Sequence, residues 1–122
     1  MSGLRLRAVR GAITVEADTG DAIRRATEEL LSAVMERNAL EVEQLVSIIF
    51  TATRDLVADF PAVAAREMGL SHVPLLCAQE IPVADAMPRV VRVLIHCYAP
   101  AERPIRHVYL RDARQLRLDL PE

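Results

Sequence analysis

The chain has 122 residues, room for one domain with a core of its own and no need of disulfides or a structural metal. A net charge of −2, a pI near 5.9 and 3% aromatic residues exclude the basic, stacking surfaces of nucleic-acid binders and the cationic faces that dock on anionic membranes. The hydrophobic share of 52% is high for a small monomer and predicts a subunit interface. No apolar run approaches the roughly 20 residues that span a bilayer, and the start, MSGLRLRAVRG, lacks the apolar centre of a signal peptide. A cytoplasmic protein is therefore expected, with Cys77 and Cys97 as reduced thiols.

LRLRAVRGAITV (4–15) alternates apolar and polar residues and predicts a strand, with Leu4, Leu6, Ala8 and Arg10 on one face. Gly11 within it admits a close neighbour. Residues 18–38 form the one strong helix. Ile23, Ala26, Leu30, Ala33, Val34 and Arg37 recur at helical spacing, Asp18 or Thr19 caps the start, and Asn38 is placed to end it in a left-handed conformation. EQLVSIIFTAT (43–53) is a second strand, rich in β-branched and apolar residues. DFPAVAAREMG (59–69) is a short helix, with Pro61 in its first turn and Gly69 as its stop.

HVPLLC (72–77), residues 89–98 and IRHVYL (105–110) complete the strands, separated by the loops IPVADAMP and APAERP. The tail, RDARQLRLDLPE, alternates weakly and is expected to be mobile over about 111–122. The layout predicts a single α+β domain over 1–122. Its sheet is antiparallel or mixed, and the long helix covers one face.

The chemistry lies in ionisable residues at strand positions. Arg92 interrupts the run Val90, Val91, Val93, Leu94, and a guanidinium cannot shed its charge to enter an apolar setting. Arg10 shares a face with Leu4, Leu6 and Ala8, Glu80 follows VPLLCAQ, and Tyr109 ends an apolar alternation. Two readings stay open. Arg92 and Glu80 form an internal ion pair, or two arginines line a pocket for one anionic ligand, which the guanidinium fork grips bidentately. Cys77 reads as a small buried apolar residue, because His72, His96 and His107 stand at no telling distance from it. The same histidines lack metal-ligand spacing, and the chain has neither a Walker loop nor GxGxxG, so no metal or cofactor is predicted. Phe60, ahead of Pro61, reads as a staple for the short helix.

VRGAITVEADT, FPAVAAREMG, VPLLCAQE, RVVRVLI and IRHVYL stand in an order and at separations that resemble the small trimeric, bacillus-type monofunctional chorismate mutases. The likeness runs from about Arg7 to Leu120. It implies a homotrimer whose sheets assemble into a pseudo-α/β barrel, with active sites at the subunit interfaces. The implied reaction is the [3,3]-sigmatropic rearrangement of chorismate to prephenate, without metal, cofactor or covalent intermediate.

The resemblance assigns Arg92 to the ether oxygen of the breaking bond, Arg10 to a substrate carboxylate, Tyr109 to that same anion and Glu80 to the ring hydroxyl. It makes Cys77 a polar contact beside Glu80 and Phe60 a wall from the neighbouring chain. Ala62, Leu76 and Leu116 fall at further substrate-contacting positions, and Arg66 and Arg117 at the mouth. Two positions depart from the bacillus pattern: Val63 replaces a lysine, and Leu76 a threonine. Two other functions remain open at this level, a related trimeric imine or enamine deaminase and a non-catalytic module that binds a small dicarboxylate.

Overall fold

A computed structural model describes residues 3–117. Its elements are β1 (Leu4–Thr14), α1 (Gly20–Arg37), a short 3-10 helix (Val42–Gln44), β2 (Leu45–Ala52), α2 (Ala62–Glu67), β3 (Leu75–Gln79), β4 (Val90–Pro100), β5 (Val108–Leu110) and a closing 3-10 helix (Arg111–Arg117). The five strands form one sheet in the order β3-β2-β4-β1-β5. β4 runs antiparallel to both β1 and β2, while the outer pairs, β2 with β3 and β1 with β5, are parallel. The fold is thus α+β on a mixed sheet.

Strand pleating sorts the side chains. Val9, Gly11 and Ile13 of β1, Val91, Val93, Ile95 and Cys97 of β4, and Ile48 and Phe50 of β2 are all buried on the α1 side. α1 lays Ile23, Ala26, Leu30, Leu31 and Val34 against them, each fully buried, which stabilises by about 1.5–3 kcal/mol for each of the larger side chains. Leu31 and Thr27 widen the expected apolar stripe, and Arg37, placed on it by spacing, is exposed because the helix ends there. Gly11 is where β1 meets β5 closely: a Cβ there would lie 3.0 Å from the Val108 carbonyl oxygen.

The helix ends differ from expectation in one respect. Thr19 caps α1 by accepting from the Ala22 amide at 3.0 Å, which frees Asp18 for another task. At the other end the left-handed residue is Ala39 (φ 51°), not Asn38 (φ −107°). The buried Asn38 amide is instead the tie to the 103–106 segment. It donates to the Val34 and Arg106 carbonyls, each at 2.9 Å, and accepts from the Arg106 amide at 2.8 Å. Element bounds differ from expectation by a few residues. β3 begins at Leu75 because Pro74 has no amide for the ladder, α2 covers only the middle of 59–69, and β5 begins at Val108. The first seven residues of the tail wind into a 3-10 helix; residues 118–122 lie outside the described residues.

Candidate active site

The sheet face turned away from α1 carries the chemistry. Along one row, β-register sets Thr51 of β2 beside Arg92 of β4, Arg92 beside Ala12 of β1, and Ala12 beside Tyr109 of β5. Glu80 follows β3, with its amide bonded to the Ala52 carbonyl at 2.9 Å, so that it closes the row at the β3 edge. Ala12 is fully buried in a small apolar cluster against Tyr109 and Leu116. Arg10, one pleat along β1 from Ala12, pairs with Leu94 on the same face. The result is a cavity of about 370 Å³ lined by Arg10, Ile49, Thr51, Arg92, Leu94, Tyr109 and Arg117. That volume lies in the range of small-molecule sites.

Arg92 is half-exposed, not sunk in the core: the valines beside it are buried because they point to the opposite face. Of the two sequence readings, the ion pair is observed. Its Nε donates to Glu80 Oε2 at 2.9 Å, and the same oxygen accepts from the Thr51 hydroxyl at 2.6 Å. The Nε edge is thus occupied, while among the described residues the two terminal nitrogens have no hydrogen-bond partner, and the residue lines the cavity. The guanidinium is held in place and still has donors to offer.

Two contacts steady the cavity's other side. The Arg10 amide donates to His107 Nδ1 at 3.0 Å, and the Arg117 guanidinium lies 6.0 Å from the Tyr109 ring centre. Burial, with Arg10 and Arg117 nearby, holds His107 below the ordinary histidine pKa and so favours the neutral ring that this bond requires. Leu116 packs with Ala12, Val90 and Ala113 under the closing 3-10 helix, next to Tyr109.

The remaining expected site residues lie elsewhere. Cys77 pairs in register with Phe50, so its side chain is on the α1 side of β3, opposite Glu80. It borders a second cleft, of about 410 Å³, with Leu56, Val57, Phe60, Pro61 and Gln79. Phe60 is 65% exposed there and staples nothing. Ala62 is buried beneath the start of α2 and Val63 is half-buried. Arg66 is exposed on the last turn and lines neither cleft. Leu76, 60% exposed, points from edge strand β3 to the Arg92 side. In one chain, then, Arg10, Glu80, Arg92, Tyr109, Leu116 and Arg117 come together, and Phe60 and Cys77 form a separate group across β3.

Sequence reading passed over Thr51 and His107 as members of the site. Thr51 shares a face with Ser47 and Ile49 in an apolar strand, and its hydroxyl was the available signal. The bond from His107 to the Arg10 amide spans 97 positions and had none. Among the described residues no three His, Cys, Asp or Glu side chains gather as a metal site would require, and no helix is long and apolar enough to cross a membrane.

A mixed sheet with three arginines and a phenol around a small hollow, one of the arginines braced by a carboxylate, defines the class of a small α+β protein with a cationic pocket. The sequence profile of the family described as chorismate mutase type I matches residues 6–120. Chorismate mutase AroH of Thermus thermophilus is 52% identical over 118 residues, covering 94% of this chain and 96% of that protein. Chorismate mutase AroH of Bacillus subtilis (strain 168) is 40% identical over 120 residues, covering 96% and 94%. The structure of the chorismate mutase from Clostridium thermocellum superposes with a TM-score of 0.82 at 41% identity, over 89% of this chain and 98% of that one. The chain belongs to the chorismate mutase type I family.

Proposed function

We propose that the protein is an isomerase that converts chorismate to prephenate in aromatic amino acid biosynthesis, acting as a cytoplasmic homotrimer whose active sites lie between subunits. The observation that carries the chemistry is the Arg92 guanidinium, braced by Glu80 at one edge and open to the cavity at the other. As the ether C–O bond of chorismate stretches, negative charge builds on its oxygen. A donor already fixed at that point stabilises the transition state more than the ground state, which is the condition for acceleration.

In this reading Arg10 holds a substrate carboxylate and Tyr109 donates to the same anion. Glu80, with Oε2 taken by Arg92 and Thr51, uses Oε1 to accept from the ring hydroxyl. Leu94 and Ile49 press on the flexible side chain of the substrate and favour its compact chair form. Arg117 adds positive charge at the mouth, where it steers a dianion inward. No residue forms a covalent bond to substrate, and no metal or cofactor takes part.

The separation of Phe60 and Cys77 from the Arg92 cavity supports a site built from two chains. Leu4, Leu6, Leu76 and Tyr98 on the same sheet face are about half exposed or more in the single chain, and burying them between subunits removes apolar surface from water. Packed so, the sheets of three chains form the pseudo-α/β barrel. The neighbouring chain brings Phe60 and Cys77 over the cavity as its wall. Val63 in place of lysine leaves that wall with one cation fewer.

Family membership favours neither the deaminase nor the non-catalytic binding reading. Chorismate absorbs in the near ultraviolet and prephenate does not, so the test is direct. The purified protein should abolish that absorbance at micromolar enzyme or below, and an unchanged signal from folded protein would refute the proposal.

A further inference from the structure

Phe60 sits at the end of an irregular segment, residues 53–61, yet the segment is not loosely held. Leu56 is buried as an anchor. The next two amides, Val57 and Ala58, both donate to one oxygen, Oδ1 of Asp18, at 2.9 and 3.0 Å. The following residue, Asp59, accepts from Arg24 of α1 through Oδ2 at 3.2 Å and from the Phe60 amide through Oδ1 at 2.8 Å. Three consecutive residues are therefore clamped to the start of α1, while Val57 and Phe60 point outward, 78% and 65% exposed. Thr19 already caps α1, so Asp18 is not needed for that role. Charge-assisted bonds to backbone amides are the stronger kind, and two on one carboxylate oxygen fix a loop's orientation as well as its position.

We infer that Asp18 is a positioning residue: its carboxylate, with the Arg24–Asp59 pair beside it, sets the segment that carries Phe60 as a rigid wall for the active site of the neighbouring subunit. This rests on the two-chain site proposed above. The consequence is that a residue outside both clefts, on a turn before α1, controls substrate capture in a site belonging chiefly to another chain. Asp18 touches no substrate. Its loss leaves Arg92, Glu80, Arg10 and Tyr109 in place, so the bond exchange itself is spared and capture suffers.

Asp18→Ala in the full-length protein should raise KM for chorismate roughly tenfold, with kcat within about twofold, the loss expected when an ordered wall must be re-formed on binding. Asp18→Asn, which keeps an acceptor oxygen, should recover most of that. Arg24→Gln, which releases Asp59 along with the longer ion pairs to Asp21 and Glu67 but leaves the Asp18 bonds, should shift KM in the same direction by a smaller factor and supplies the measurement if Asp18→Ala does not fold. Unchanged KM in Asp18→Ala, or in Arg24→Gln where that is the variant available, overturns the inference. So does a KM defect in Asp18→Asn as large as in Asp18→Ala.

Mixed assemblies separate this idea from the one beneath it. Co-expressed Phe60→Ala and Arg92→Lys chains should regain activity at low chorismate, because some sites then combine two intact halves. Failure of that pair sinks the two-chain site. Success of that pair without matching recovery from Asp18→Ala plus Arg92→Lys sinks the role of Asp18 alone.

Discussion

Replacing Arg92 by lysine keeps the charge and removes the shape. Arginine offers Nε to Glu80 at 2.9 Å and its terminal nitrogens to the cavity at the same moment. Lysine has one nitrogen, and the nearby Glu80 carboxylate, only 17% exposed, competes for it. The ether oxygen then loses its fixed donor. Removing one such donor typically lowers turnover on the order of a hundred- to a thousandfold, about 2.7–4 kcal/mol of transition-state stabilisation. Stability should change far less. The Arg92 side chain is 42% exposed, which limits the ion pair to about 1 kcal/mol or less, and Glu80 keeps its 2.6 Å bond from Thr51. The near-ultraviolet chorismate assay gives the rate, and thermal melting followed by circular dichroism gives the stability. Retention of more than about a tenth of wild-type turnover would mean that less than roughly 1.4 kcal/mol was lost, and the electrostatic argument would fail.

Gly11→Ala should destabilise by about 1–3 kcal/mol, because the new Cβ would sit 3.0 Å from the Val108 carbonyl oxygen and backbone there cannot step aside. A midpoint lowered by roughly 5–10 °C is expected, and an unchanged melt would show that β5 has room to move. Asn38→Ala should cost about 2–3 kcal/mol, since it strands the Arg106 amide and carbonyl beside the end of α1; denaturant titration measures it.

His107 supplies a pH prediction. Its pKa is lowered in the fold by burial first and by Arg10 and Arg117 next, so below pH about 6.5 the unfolded chain binds the proton more readily than the native one. Its contribution to stability is therefore present above the unfolded value and declines as pH falls from there through the lower folded value. His107→Asn, which keeps an acceptor for the Arg10 amide and does not titrate, should lessen that decline in pH-dependent melts. An identical acid slope in the two proteins would assign it to other groups.

Much of this molecule was legible along the chain, for reasons of period and residue type. The 3.6-residue recurrence from Ile23 to Val34 specified α1 and its buried face, and β-branched alternation specified β1, β2 and β4. Arg92 stood out because a permanent charge in an apolar strand demands a reason, and five motifs in order carried the family likeness. Pairing partners, sheet order and side-chain facing were not legible, because they depend on contacts between distant segments. Only the assembled sheet put Thr51, Arg92, Ala12 and Tyr109 in one row, gave Glu80 to Arg92 without exhausting its donors, and turned Cys77 to the side opposite Glu80. Only there, too, did the freedom of Asp18 from helix capping become visible, through two bonds across some 40 residues to Val57 and Ala58. Local propensity sets which residues can face one way; register and packing decide what they face.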